Sequence, residues 1–165
     1  MRIRLAELAD QDPLIQLIAE FRVTMCRFRG SAPPPDLQTA ETQLLSHDQD
    51  THHVYVAESE DGSLVAFMIC SIDANQVSVD ALYVMPEHRR QGVGGLLYDV
   101  AEELAEALGD EPITNWVQPN NDRFIAFLRK RGYLVLSQIE LRKPRAGEGP
   151  LTQIKVGKNI FEFCC

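Results

Sequence analysis

The sequence is poor in the features that mark several protein classes. Its four cysteines, Cys26, Cys70, Cys164 and Cys165, include no Cys-x-x-Cys pair, so the usual zinc spacing is missing, and they are too sparse to staple a secreted scaffold. Free thiols are the expectation. His52 and His53 are adjacent, so on a strand they point to opposite faces and cannot jointly grip one ion; no metal is expected. No segment approaches the roughly 18 consecutive apolar residues that span a bilayer. The N-terminal "MRIRLAELADQDPLIQLIAEF" carries charges throughout, unlike the apolar stretch of a secretion signal. A cytoplasmic protein with no membrane partner is expected. Positive charge is in deficit: 16 Lys and Arg against 24 Asp and Glu give a formal net charge of -8. That disfavours nucleic acid as a partner and leaves a cationic one electrostatically tolerable. Internal repeats and low-complexity tracts are also missing.

What is present suits one globular domain over 1–165, since 165 residues with 45% hydrophobic content can bury a core. "RIRLAEL" reads as a first strand, and Asp10 or Asp12 with Pro13 offers a helix start. Leu14, Leu17, Ile18 and Phe21 then recur at helical spacing. "GSAPPPD" ends that helix, and Asp36 can cap a second one reaching about His47. "HHVYVAES", "SLVAFMICSID" and "QVSVDALYVMP" are strand-like runs, the first two joined at Asp61-Gly62, a hairpin signal; they predict an antiparallel meander. From Gly92 to Gly109 a helix is expected with Leu97, Val100, Leu104 and Leu108 as its apolar stripe and Asp99, Glu102, Glu103 and Glu106 as its solvated face. "PITNWVQ" reads as a strand, Asn120 or Asn121 caps "DRFIAFLRKR", and Gly132 terminates it. "YLVLSQIELRK" reads as a further strand, "RAGEGPLTQ" as a turn, and "IKVGKNIFEF" as a hairpin or arm.

The stretch "HRRQGVGG", His88 to Gly95, concentrates positive charge and bare backbone at a helix start in an acidic chain. A helix N-terminus exposes N–H groups without intrahelical partners and carries about half a positive charge. Glycines let such a backbone close around phosphate oxygens, and Arg89 and Arg90 can add charge-assisted hydrogen bonds. The alternative is a solvated helix end with a flexible entry. Two common phosphate loops do not match. The third glycine of Gly-x-Gly-x-x-Gly is missing and the preceding strand belongs to a meander, which argues against a dinucleotide site; no Lys-Ser or Lys-Thr follows, which excludes a P-loop.

Strand, Val84-Met85-Pro86, a basic turn and Arg89-x-x-Gly92-x-Gly94 opening a helix resemble the pyrophosphate loop of the GNAT superfamily, the acyl-CoA-dependent N-acetyltransferases. Downstream, Asn121, Phe124, Phe127, Leu128, Gly132 and Tyr133 resemble a second segment of that family. The resemblance covers residues 53–137 in detail and the element order β-α-α-β-β-β-α-β-α-β throughout. It implies an α+β fold: a mixed, mostly antiparallel central sheet of about six to seven strands with helices on both faces. It also implies that the strand before the loop bulges and splays from a parallel neighbour, "PITNWVQ". Main-chain groups of Leu82, Tyr83 and Val84 would bond pantetheine, the N–H groups of Gln91, Gly92, Val93, Gly94 and Gly95 would hold pyrophosphate with Arg89 and Arg90 nearby, and Asn121 would bond pantetheine from the other wall.

By the same resemblance acetyl-CoA is the co-substrate and an amine the acceptor. An alkyl ammonium of pKa about 10.4 must lose a proton before it attacks. Asp80, placed by alternation on the face of Leu82 and Val84, matches the position of a carboxylate base acting through water in similar polyamine acetyltransferases; alternatively it ends a polar edge or orients a substrate cation. Leu128 departs from the family, where a tyrosine often serves the leaving sulfur; Tyr83, Tyr98 and Tyr133 are the nearby alternatives. An acyl-CoA-binding regulatory module with little transferase activity is therefore the second reading. The acceptor, a small molecule or a peptide amine, has no legible code; Arg27 and Arg29 read first as a basic, solvated helix end and only second as a site for an acceptor carboxylate. "IKVGKNIFEFCC" is apolar enough to suggest a homodimer contact.

Overall fold

The computed structural model describes residues 1–165 except 48, 49, 110, 144–150 and 165; most of the expected "RAGEGPLTQ" turn and Cys165 lie outside the described residues. The chain forms two compact units, Met1–Val23 with Pro34–Trp116, and Thr24–Pro33 with Val117–Cys165.

In the first unit, β1 (Arg2–Leu5), β2 (His52–Glu58), β3 (Leu64–Asp73), β4 (Gln76–Val84) and β5 (Thr114–Asn115) form one sheet in that order. All neighbours are antiparallel except β4 and β5, which run parallel. The β2–β3 turn closes as its Asp-Gly pair predicts. Gly62 takes φ +85°, a region that glycine enters without a Cβ penalty. The Asp61 carboxylate accepts from the Ser63 N–H at 3.1 Å and the Ser63 hydroxyl at 2.6 Å.

Helix α1 (Gln11–Arg27) and helix α2 (Leu37–Leu45) cover one face. Leu14, Leu17, Ile18 and Ala40 bury there against Val56, Phe67, Ile69, Ala81 and Tyr83. Each large side chain so buried contributes roughly 1.5–3 kcal/mol. Asp36 caps α2 by accepting from the Thr39 N–H at 3.0 Å. Helix α3 (Val93–Leu108) packs on β2, β3 and β4, over the opposite face with its buried Met68 and Cys70. Its buried stripe is Val93, Leu97, Tyr98, Ala101 and Ala105, rotated from the expected Leu97, Val100, Leu104 and Leu108. Tyr98 fits this stripe because its hydroxyl has a partner: it donates to Asn115 Oδ1 at 2.9 Å.

In the second unit, α4 (Asp122–Lys130) is capped by Asn121, whose side chain accepts from the Phe124 N–H at 3.2 Å. Gly132 ends the turn at φ +90°, and the Tyr133 N–H reaches the Leu128 carbonyl at 3.1 Å. Strands β6 (Leu151–Val156) and β7 (Asn159–Cys164) form the late hairpin, turning at Gly157 with φ +61°.

The fold is the expected α+β arrangement with a mixed, mostly antiparallel central sheet; among the described residues that sheet has five strands, and β6 and β7 make a second sheet of two. Two segments differ from expectation. "PITNWVQ" contributes two paired residues, and "YLVLSQIELRK" forms no strand, leaving Leu134, Val135, Leu136 and Leu141 exposed, Val135 at 89%. β propensity measures fit to a pleated, half-buried surface, and this run has no partner strand among the described residues.

Candidate active site

Strand β4 alternates buried and open from Gln76 to Val84, as though regular. Its pairing is not regular: Cys70 opposes Val79 and Ile69 opposes Ala81, so Asp80 has no partner and forms a β-bulge. Paired residues share a face. Val77 and Val79 therefore lie with Ile72 and Cys70 on one side, while Ala81 and Tyr83 lie with Ile69 and Phe67 on the other. Counting alternation back from Val84 fails at the bulge, so it does not place Asp80 with Leu82 and Val84. Asp80 is exposed, and its charge acts on Cys70 and on His47.

The parallel ladder to β5 ends within a residue of the bulge. Ser78 opposes Thr114 and Val79 opposes Asn115, and no β5 residue pairs with Ala81 to Val84. The Ser78 and Thr114 hydroxyls, 2.6 Å apart, bridge the first of the ladder's two rungs. The Leu82 to Val84 edge is thus open to a hydrogen-bonding guest, since an unpaired strand edge presents free N–H and C=O groups.

The chain next makes a single helical turn, Pro86–His88, and enters α3 through Gly92 at φ +86°. Arg90 is also left-handed at φ +63°, which is costly for a residue with a Cβ. Arg89 does not project freely. Its Nε donates to the Val84 carbonyl at 2.7 Å, and its guanidinium lies 5.5 Å from the Tyr83 ring centroid. It pins the loop to the end of β4, while Arg90 remains exposed. Gln91 donates to the Glu87 carbonyl at 2.9 Å. Asp36 and Asn121 cap α2 and α4 with side-chain oxygens, but Gly92 offers α3 no side-chain cap. Of the first amides, that of Leu96 reaches the Gly92 carbonyl at 3.0 Å; those of Val93, Gly94 and Gly95 precede any intrahelical acceptor. The result is a patch of donors with the positive end of a helix dipole behind it.

The remaining expected residues fall as follows. Tyr83 is buried and donates its hydroxyl to Glu20 Oε2 on α1 at 2.8 Å; burial, then Glu20, pushes its pKa up to about 12. Tyr98 is fully buried. Leu128 is buried, and a leucine has no ionisable proton, so its position supplies no acid. Tyr133 is partly buried. Asn121 belongs to the second unit, where its side-chain oxygen caps α4. Sequence reasoning missed Glu20, which lies 63 residues from Tyr83 and sits in no motif that would single it out.

Residues 17–133 match the family model described as "Acetyltransferase (GNAT) family". An uncharacterized N-acetyltransferase of Archaeoglobus fulgidus is 29% identical over 161 residues, covering 89% of this chain and 97% of the relative. Among solved structures, a tetramutant of the BH1408 protein from Bacillus halodurans superposes with a TM-score of 0.72 at 17% identity, covering 88% of this chain and 100% of that one. The AAC(6')-Iy structure, in complex with the bisubstrate analogue CoA-S-monomethyl-acetylneamine, superposes with a TM-score of 0.63 at 15% identity, covering 87% and 97%. A bulged strand that parts from its parallel neighbour, an uncapped glycine-rich helix start and these matches agree: the chain belongs to the acetyltransferase (GNAT) family and is an acyl-CoA-dependent N-acetyltransferase.

Proposed function

We propose that the enzyme transfers acetyl from acetyl-CoA to a primary amine by direct attack on the thioester. The observation that carries this reading is the uncapped start of α3 beside the open end of β4. Pyrophosphate suits the N–H groups from Gln91 to Gly95, with Arg90 adding charge from the rim and Arg89 holding the loop against Val84. The amides of a pantetheine arm suit the main-chain groups of Leu82, Tyr83 and Val84. Asp80, beside the point where β4 and β5 part, supplies the carboxylate that draws a proton from the amine through water. The relative with a CoA bisubstrate analogue supports CoA as the donor carrier. A small-molecule amine is the favoured acceptor, with a peptide amine as the other class. The protein acts in the cytoplasm as one acetyltransferase domain that pairs as a homodimer.

A second reading, an acyl-CoA-binding regulatory module, is favoured by Leu128, which cannot protonate a leaving thiolate. Two measurements decide. Acetyl-CoA is expected to raise Tm, since it binds the native state; no rise sinks both readings. CoA release with a panel of spermidine, an aminoglycoside and a lysine peptide supports transfer. Binding without release supports the module.

A further inference from the structure

The acetyltransferase reading, on which this inference rests, puts pyrophosphate on a turn that must hold its shape before the donor arrives. The turn carries the left-handed Arg90 at φ +63° and opens α3 without a side-chain cap, so neither backbone preference nor capping fixes it. Arg89 ties it to the sheet through the Val84 carbonyl, at 2.7 Å from its Nε. A long arginine loses much rotamer freedom in such a tie, and a second hold lessens that penalty. The Tyr83 ring provides one: the guanidinium carbon stands 5.5 Å from its centroid, close enough for a cation to be drawn to the ring face. Tyr83 is in turn braced from α1. Its hydroxyl donates to Glu20 Oε2 at 2.8 Å, and its ring meets Phe21 at 6.4 Å and 67° and Phe67 of β3 at 6.2 Å and 39°. A phenylalanine would fill the same space without drawing a carboxylate to the edge of the core, where a charge is unfavourable unless hydrogen-bonded. The bond from phenol to carboxylate therefore adds something that packing does not require. It fixes the tip of the ring, and it draws negative charge onto the ring that faces the Arg89 cation.

We propose that the side chains of Glu20 and Tyr83 are positioning residues for acetyl-CoA: acting through Arg89, they set the pyrophosphate turn in its receiving shape. The chain of contacts runs from α1 through β4 to the turn, within one compact unit. Helix α1 thereby serves donor binding from the face of the sheet opposite α3, although neither side chain has to touch the donor. Burial, then Glu20, pushes the Tyr83 pKa up to about 12, so the phenol keeps its proton and goes on donating throughout the neutral range.

The test is calorimetric titration of acetyl-CoA into the full chain and its Tyr83→Phe, Glu20→Leu and Glu20→Gln variants, each made with Arg89 intact and again with Arg89→Ala. With Arg89 intact, Tyr83→Phe and Glu20→Leu are each expected to raise the acetyl-CoA Kd about fivefold, as loss of one hydrogen bond from a coupled network should. Glu20→Gln keeps an oxygen to which the phenol can donate, and is expected to rescue binding to within about twofold of wild type. In the Arg89→Ala background the same changes should add nothing, because the brace has nothing left to hold. A lesion of the core alone would weaken binding by the same factor in both backgrounds. That result, or an unchanged Kd in Tyr83→Phe, overturns the proposal while leaving the donor site standing. If Glu20→Leu does not fold around its unpaired phenol, Tyr83→Phe, which removes the hydroxyl and keeps the ring, decides by the same comparison. Wild type that binds no acetyl-CoA overturns the donor site and this proposal together.

Discussion

At the scale of the residue, the clearest electrostatic device lies away from the site. Arg4 bridges Asp10 at 2.5 and 2.9 Å and Glu58 at 2.8 Å, and Asp10 also accepts from the Glu7 N–H at 2.8 Å. The Arg4 hydrogen bonds outweigh burial and hold the Asp10 carboxyl below its usual range. A carboxyl with a depressed folded pKa stabilises fully above its unfolded value of about 3.9, and that contribution fades as pH falls through the folded value. Chemical denaturation should thus give Asp10→Asn a deficit of about 2 kcal/mol at pH 7, which closes as the pH drops below about 4. In the site, Arg89→Ala removes the bond to Val84 and should weaken acetyl-CoA binding about tenfold, about 1.4 kcal/mol, by calorimetry. Asp80→Asn should lower kcat at least 100-fold with acetyl-CoA affinity kept, read by steady-state kinetics. The loop residues were legible because local charge and glycine spacing announce them. Glu20 was not, because its meaning comes from Tyr83, 63 positions away, which only the fold brings near.

At the scale of the element, the helix ends were readable because capping is local chemistry: Asp36, Asn121 and Gly132 act within their own turns. α3 breaks the pattern. An ideal Cβ on Gly92 meets nothing within 4 Å, so substitution there is opposed by the backbone angle and not by a clash. Gly92→Ala should cost about 1–2 kcal/mol in denaturant melts and weaken acetyl-CoA binding as well, whereas the same cost with unchanged binding would separate the turn from the anion site. The strands were less legible. "LVAFMICSID" and "YLVLSQIELRK" look alike as β formers, yet one is the buried centre of the sheet and the other is unpaired. Pairing partners lie far apart in sequence, and propensity does not name them.

At the scale of the whole molecule, the apolar surface left by the second unit bears on assembly. Leu134, Val135, Leu136, Leu141 and, on the hairpin, Ile160 are exposed. If they serve a homodimer, sedimentation will give twice the 18.6 kDa chain mass, and Ile160→Glu will shift it toward the single chain. A monomer at all concentrations removes that proposal. Strand β4 serves both cores of the first unit: Val77 and Val79 feed one face, Ala81 and Tyr83 the other, and the changeover costs the chain a single unpaired residue. Excising Asp80 altogether would leave Val79 opposite Cys70 and Ala81 opposite Ile69 in an unbroken ladder, with every buried neighbour where it was. The shortened protein is expected to fold at least as stably as the parent while losing acetyl transfer; a loss of stability in denaturant melts would instead assign residue 80 to the architecture of the strand.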